Sequence, residues 1–449
     1  MKLKLVVYLY FAGQIIYAQN ILQDYVNLGL ENNLALQQKE ANFRQSLEIL
    51  KEARGLFYPA VSLNARYTIS EGGRVITFPA GDLMNPVYST LNQLTASNLF
   101  PQIENQEFKF LRPREHETKI RMLLPVFNTD LYYNVKIRKE LVEYEEIGIS
   151  QYKRELVAEI KKAYYAVAMT ESILEMLKET RLLLLENVRV NTKLVDNNKV
   201  TPDNLYRSQT ELSRFDQQLQ VAFKNRQVSE AYFNFLLNRP LTDSVIIEPP
   251  LESTFPTASL SDYTMKAISN REEIKSLEQY YHISDINISM NHSAKLPDLL
   301  VVADYGFQGE KYEFNRNQDY LQASVILTWN LYAGFQNRAK IRQALIDKEI
   351  IEHRLEEAKS KIELQVINSM NDLKTSEVAQ IAAGNQLKTA REGFRLIMRK
   401  YEEGQASLLE FMDARNTLTQ AEENLIISKY TCMSNYAEFE KVIASSEQR

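Results

Sequence analysis

The chain has 449 residues, 45% of them hydrophobic and 25% charged, with a formal net charge of −5. This composition excludes a wholly disordered chain and offers no basic excess for nucleic acid. A mean hydropathy of −0.35, with no apolar run of about 18 residues, excludes a polytopic helical membrane protein. Gly (13) and Pro (12) are scarce, so very long helices are permitted. The single cysteine, Cys432, excludes an internal disulfide, and His116, His282, His292 and His353 have no metal-ligand spacing.

In chain order, Met1–Gln19 comes first. Lys2 and Lys4 precede an apolar core from Leu5 to about Ala12, and a small residue stands at Ala18. This is the pattern of a secretory signal peptide, residues 1–18, cut after Ala18. No cysteine follows the cut, so no lipid anchor is expected there. Self-similarity then divides the remainder. VKIRKELVEYEE (Val135–Glu146) resembles AKIRQALIDKEI (Ala339–Ile350), and Lys199–Leu219 matches Gln405–Leu425 at an offset of 206. The chain reads as a first repeat over 19–240, a linker over 241–260, a second repeat over 261–443 and a tail over 444–449. Each repeat has the order helix, strand, loop, strand, very long helix, tight turn, helix. The first repeat carries an extra insertion between Ile69 and Glu115, which reads as a long loop from Gly72, Gly73, Gly81, Pro79, Pro86, Pro101 and Pro113.

Four segments alternate in steps of two, predicting strands at about 61–70, 116–126, 298–308 and 320–331. In the first, Val61, Leu63, Ala65, Tyr67 and Ile69 oppose Ser62, Asn64, Arg66, Thr68 and Ser70. Such segments of about ten residues suit a tilted transmembrane β-strand with lipid on one side and water on the other. Four strands cannot close around water, and open edges are excluded in lipid, so the barrel must be shared between chains. Three copies of four strands would give twelve.

The long helices are marked by missing breakers. No proline lies between Pro125 and Pro202, and none follows Pro297. Leu156, Ile160, Ala163, Val167, Thr170, Leu174 and Leu177 advance by alternating steps of four and three, as do Ile362, Val366, Ser369, Leu373 and Ser376. This is a coiled-coil seam of 3.5-residue period.

Two stretches carry a resemblance to the TolC-like outer membrane efflux family. One is LPVFNTDLYYNVKIRKELVEYE with its partner LTWNLYAGFQNRAKIRQALID. The other is YEEGQASLLEFMDARNTLTQAEENL, Tyr401–Leu425. The resemblance implies a homotrimer in the outer membrane of a Gram-negative bacterium. Its fold would be mainly α with a transmembrane β part: a twelve-stranded barrel, four strands per chain, continued by a long α-helical barrel in the periplasm. It would be a passive efflux or type I secretion duct. A periplasmic adaptor (membrane fusion) protein would join it to an inner-membrane pump of resistance-nodulation-division or ABC type.

The resemblance also implies site residues. The turns between long helices match the family's periplasmic tips, with Asn198, Lys199 and Val200 in the first repeat and Gly404, Gln405 and Ala406 in the second as adaptor contacts. Gly404 and Asn198 suit a backbone needing positive φ. Tyr401 matches a gate tyrosine, and Asp203 and Asn204 stand at the first-repeat gate positions. Ala406 departs from the family's arginine there. Glu410 and Asp413 match an acidic ring facing the lumen; acids in an early helical turn equally favour the helix's positive end. No phosphate loop, nucleophile elbow or catalytic constellation is present, so no enzyme activity and no cofactor are expected, and transport energy must come from a partner. The rival reading is a secreted or periplasmic coiled-coil scaffold with a small β-domain.

Overall fold

The computed structural model describes residues 21–248 and 258–445. The predicted signal peptide, and parts of the predicted linker and tail, lie outside the described residues. The chain runs α1 (Ile21–Asn32), α2 (Leu34–Gly55), β1 (Ala60–Ile69), β2 (Val75–Phe78), α3 (Ala80–Thr95), β3 (Gln106–Lys109), β4 (Arg114–Phe127), α4 (Thr129–Asp196) and α5 (Pro202–Leu236). The second repeat follows as α6 (Leu260–Asn270), α7 (Glu272–Ser293), β5 (Asp298–Gly309), β6 (Asp319–Thr328), α8 (Gln336–Glu402) and α9 (Leu408–Val442). The insertion read as a loop in the sequence is therefore structured, holding the antiparallel β2–β3 hairpin and α3.

Two compact units divide these elements. One comprises residues up to 47, 139–285 and 345 onward; the other comprises 48–138 and 286–344. In the first unit the coiled-coil seam is the core. Leu156, Ile160, Ala163, Val167, Leu174 and Leu177 are all buried, and so are Ile362, Val366, Ser369, Leu373 and Ser376 on α8. Each repeat builds its own core around its long helix. Val26, Leu36, Ile160, Val167, Phe233 and Leu237 gather α1, α2, α4 and α5. Tyr263, Ala267, Val366, Cys432 and Phe439 gather α6, α8 and α9. α1 approaches α4 so closely at Gly29 that a Cβ there would stand 2.3 Å from Ile160 Cδ1. Tyr25 and Tyr164 then fix the chain after α5, their hydroxyls accepting from the backbone N–H of Ile246 (3.1 Å) and Glu248 (2.9 Å).

The long hairpins are tied by different means. α4 and α5 are joined by Arg181–Asp216 (2.5 Å), Arg226–Glu171 and the Tyr232 hydroxyl donating to Glu159 (2.6 Å). α8 and α9 are joined by Arg391–Glu422 at 3.5 Å, by Asn435 donating to the Asp372 carbonyl (3.3 Å) and by Phe411 against Phe394 and Tyr401.

A buried ionic knot links the repeats within this unit. Arg154 on α4 donates to Glu272 (2.8 Å), Glu273 (3.0 Å) and the Lys441 carbonyl (2.7 Å). Arg271 donates to Glu273 and Gln365, both at 2.5 Å. Burial pushes the Glu273 carboxyl up, but the Arg271 hydrogen bond and the charges of Arg154 and Arg271 outweigh it and hold the group at about 2. The stabilisation is complete above the ordinary glutamate value of 4.5 and is lost as pH falls toward 2. Thermal melts between pH 4.5 and pH 2 should therefore fall steeply for the wild type and less steeply for Glu273→Gln; parallel curves would remove Glu273 from the acid transition. Arg154→Met, which leaves half-buried Glu272 without its partner while Glu273 keeps Arg271, should cost about 1–3 kcal/mol.

Candidate functional site

In the second unit β1, β4, β5 and β6 form one antiparallel sheet in that order, leaving β1 and β6 as edges. The register lines up one face across all four strands. Leu63 is opposite Ile120, Ile120 opposite Tyr305 and Tyr305 opposite Leu321. These four side chains are 72%, 51%, 48% and 77% exposed, and no second layer among the described residues covers them. The next row is Val61, Met122, Ala303 and Ala323, followed by Leu124, Val301 and Val325.

The opposite face is polar. Arg121 grips Asp304 through two hydrogen bonds of 2.8 and 2.7 Å. Glu117 accepts from Lys119 (2.7 Å) and Tyr320 (2.8 Å) and pairs with Arg66 (3.4 Å). A backbone of period two thus sorts the sequence into an apolar and an ionic surface.

Aromatic side chains bound the apolar face at both ends. At one end Tyr67 stacks on Tyr312 (5.9 Å) and Tyr312 on His116 (4.1 Å), with Phe314 against Phe307 (5.1 Å). His116 is fully buried there, its Nε2 lying 2.6 Å from the Lys311 carbonyl. At the other end Tyr58, Phe127, Trp329 and Tyr332 are exposed, and Trp329 Nε1 donates to the Lys295 carbonyl (2.9 Å). From Tyr58 to Tyr67 is about 30 Å along the strand, or about 23 Å across at a barrel tilt of about 40°, matching the apolar band of about 25 Å in outer-membrane barrels.

The two helix turns lie in the first unit. Asn198 has φ 55° and Gly404 has φ 72°, both left-handed. Lys199 N–H reaches back to the Leu194 carbonyl and Gln405 N–H to the Lys400 carbonyl, at 2.9 and 2.7 Å. Lys199, Gln405 and Gly404 are exposed, and Val200 and Ala406 half-buried. α5 starts at Pro202 behind Thr201, and Asp203 contacts the Thr201 hydroxyl and pairs with Arg207 at 3.7 Å. Asn204 is half-buried. Tyr401 is half-buried, stacks on Phe411 (4.7 Å) and donates to buried Asn191 at 3.4 Å.

α9 begins with a capping box. Ser407 Oγ accepts from Glu410 N–H, and the Glu410 carboxylate accepts from the Ser407 N–H (2.7 Å) and hydroxyl (2.9 Å). The hydrogen bond from the Ser407 backbone, then that from its hydroxyl, holds the Glu410 carboxyl below its usual range. Asp413 is exposed, without such a commitment. Asn204 and Arg207 occupy the matching first-repeat positions, so the acid pair belongs to the second repeat alone.

Arg415, one turn beyond Glu410, escaped the sequence reading. It is 4% exposed, lies 5.3 Å over the Phe215 ring and finds Thr419 at 3.2 Å. Burial pulls it down to about 10, with Glu211 and Glu422 offsetting part of that. Its position two residues after Asp413 was the available signal, but only the packing of α5 on α9 reveals the burial.

Among the described residues no helix is long and apolar enough to cross a membrane, a statement that says nothing of a β-barrel. Residues 264–444 match the family model described as "Outer membrane efflux protein". No curated protein sequence matches the chain. Among solved structures, the Campylobacter jejuni CmeC outer membrane channel is similar at TM-score 0.75 and 13% identity, over 94% of this chain and 85% of that one. The Neisseria gonorrhoeae MtrE outer membrane channel in its open state gives 0.72 and 15%, over 94% and 88%. The Vibrio cholerae outer membrane protein VceC gives 0.71 and 11%, over 94% and 95%. At these identities the likeness establishes the fold. The resemblance read from Tyr401–Leu425 is borne out: residues 264–444 match the outer membrane efflux protein model, and nearly the whole chain shares the fold of these outer membrane proteins.

The turn chemistry has measurable costs. Gly404→Val should destabilise the protein by about 1–2 kcal/mol, whereas Gly404→Asn should cost much less. Ser407→Ala should cost about 1 kcal/mol, and Glu410→Gln, which can still complete the box, less than Glu410→Ala. Helix-monitored melts read all four; a harmless Gly404→Val would mean that the turn relaxes out of the left-handed region.

Proposed function

We propose that the protein is the outer-membrane duct of a tripartite efflux or type I secretion system. The apolar sheet face, flanked by aromatic side chains at both ends, carries this reading. Lipid is the solvent that suits exposed Leu63, Ile120, Tyr305 and Leu321 while leaving Arg121–Asp304 and Glu117–Lys119 wet on the other side. The free edges of β1 and β6 then require a neighbour, and three copies close a twelve-stranded barrel around water. α4, α5, α8 and α9 form the periplasmic part. Their turns at Asn198–Val200 and Gly404–Ala406 meet the adaptor, and an inner-membrane pump supplies the energy.

Tyr401, Asp203 and Asn204 belong to the gate in this reading, and Glu410 and Asp413 line the lumen. Asp413 is the freer of these two carboxylates, because Glu410 also caps its helix. The scaffold alternative would need an apolar counter-layer over the sheet, which the described residues do not supply.

Fractionation followed by unheated gel electrophoresis tests the duct. A heat-sensitive trimer in the outer-membrane fraction is the expected outcome, and a soluble periplasmic monomer would favour the scaffold instead. In planar bilayers the trimer should conduct and be blocked by multivalent cations. Asp413→Asn should weaken that block more than Glu410→Gln, with trimer formation retained. Undiminished block in the double variant would take the carboxylates out of the lumen.

A further inference from the structure

The insertion between β1 and β4 meets the sheet through a narrow neck. Ile69 is opposite Arg114, the Ser70 N–H donates to the Pro113 carbonyl (3.0 Å), the Phe110 N–H donates to the Arg74 carbonyl (2.9 Å), and Val75 is opposite Lys109. Residues 69–75 and 109–114 hold four basic side chains, Arg74, Lys109, Arg112 and Arg114, against one acid, Glu71. The chain as a whole is acidic, with net charge −5, so this concentration runs against its average. Arg74, Lys109 and Arg114 are exposed and have no ion pair among the described residues; Arg112 reaches Glu115 only at 3.8 Å. Phe110 and Leu111 are exposed among them, as are Ile69 and Val75.

The register fixes which way part of this surface looks. Arg114 lies opposite Ile69, so it shares the face of Tyr67, Leu63 and Ile120 and stands one step beyond the Tyr67–Tyr312 pair. Arg66, by contrast, is on the polar face, paired with Glu117. A cation that continues an apolar, aromatic-bounded face suits an amphiphile with an acyl chain and an anionic head. Guanidinium groups bind phosphate through paired hydrogen bonds, and each basic group near an anionic lipid surface adds attraction.

We propose that this neck is a binding site for a phosphorylated lipid of the outer leaflet, with Arg114, Arg74 and Lys109 on its phosphates and Ile69, Val75 and Phe110 against its chains. This rests on the membrane reading above, whose second-repeat loop, Glu310–Gln318, has no comparable basic cluster.

The test uses the full-length protein extracted in detergent, with bisphosphorylated hexa-acyl lipid A as the probe and native mass spectrometry as the readout. Wild type should retain the lipid. Retention should fall at least about tenfold in the triple variant Arg74→Gln, Lys109→Gln, Arg114→Gln, and equally when the probe is dephosphorylated. Arg66→Gln, on the opposite face, should leave retention unchanged. Equal retention by wild type and triple variant, or of the dephosphorylated lipid, overturns the site, as does full competition by inorganic phosphate. The unheated-gel trimer, run on each preparation, separates the two levels. A wild type without a membrane-inserted trimer overturns the duct and the lipid site together. A normal trimer that ignores the substitutions overturns the lipid site alone.

Discussion

A backbone N–H or C=O that faces hydrocarbon without a partner costs several kcal/mol, and in the duct proposed for this chain that cost organises the rest of the molecule. β1 and β6 each offer an unpaired edge, while the sheet they bound turns Leu63, Ile120, Tyr305 and Leu321 outward. In water such a sheet would stick to any apolar surface; in lipid the side chains are at ease and the edges are not. In the proposed duct, closure with further copies would satisfy both, and the polar face would then line the water that a shared barrel encloses. There Arg121–Asp304 and the Glu117–Lys119–Tyr320 group satisfy one another's hydrogen-bonding groups across β4, β5 and β6.

The helices answer a different demand. A seam of small and medium side chains such as Ala163, Ser369 and Ser376 yields little burial per contact, so stability accumulates along 68 and 67 residues of α4 and α8. Where a bulkier contact is needed the chain supplies Phe233, Phe411 and Phe439, each almost completely buried. The Arg154 knot is a costly exception, tolerated because every charge in it is paired.

The sequence reveals these features unevenly. Period-two strands and the 3.5-residue seam were legible because their side chains repeat at the spacing of the backbone itself. Asn198 and Gly404 were legible because few residues tolerate positive φ. The insertion was not: Gly72, Gly73, Pro79 and Pro101 read as loop, and the hairpin and α3 depend on pairings such as Asn85 with Ile103 and Asn92 with Phe100, eight to eighteen residues apart. The buried state of Arg415 and His116 was likewise hidden. Both are polar side chains covered by segments distant in sequence, Phe215 for one and Tyr312 for the other. Glu410 carried two plausible duties in the sequence, and its hydrogen bonds to Ser407 show the helix cap to be one of them.

The two long hairpins are held by different forces, and salt separates them. Between α4 and α5 stand two ion pairs and a tyrosine–carboxylate bond. Between α8 and α9 stand one solvated ion pair, the Asn435 bond to the Asp372 carbonyl and the contacts of Phe411 with Phe394 and Tyr401. Ionic strength screens charge pairs and leaves aromatic contacts intact, so raising it would loosen the first hairpin more than the second.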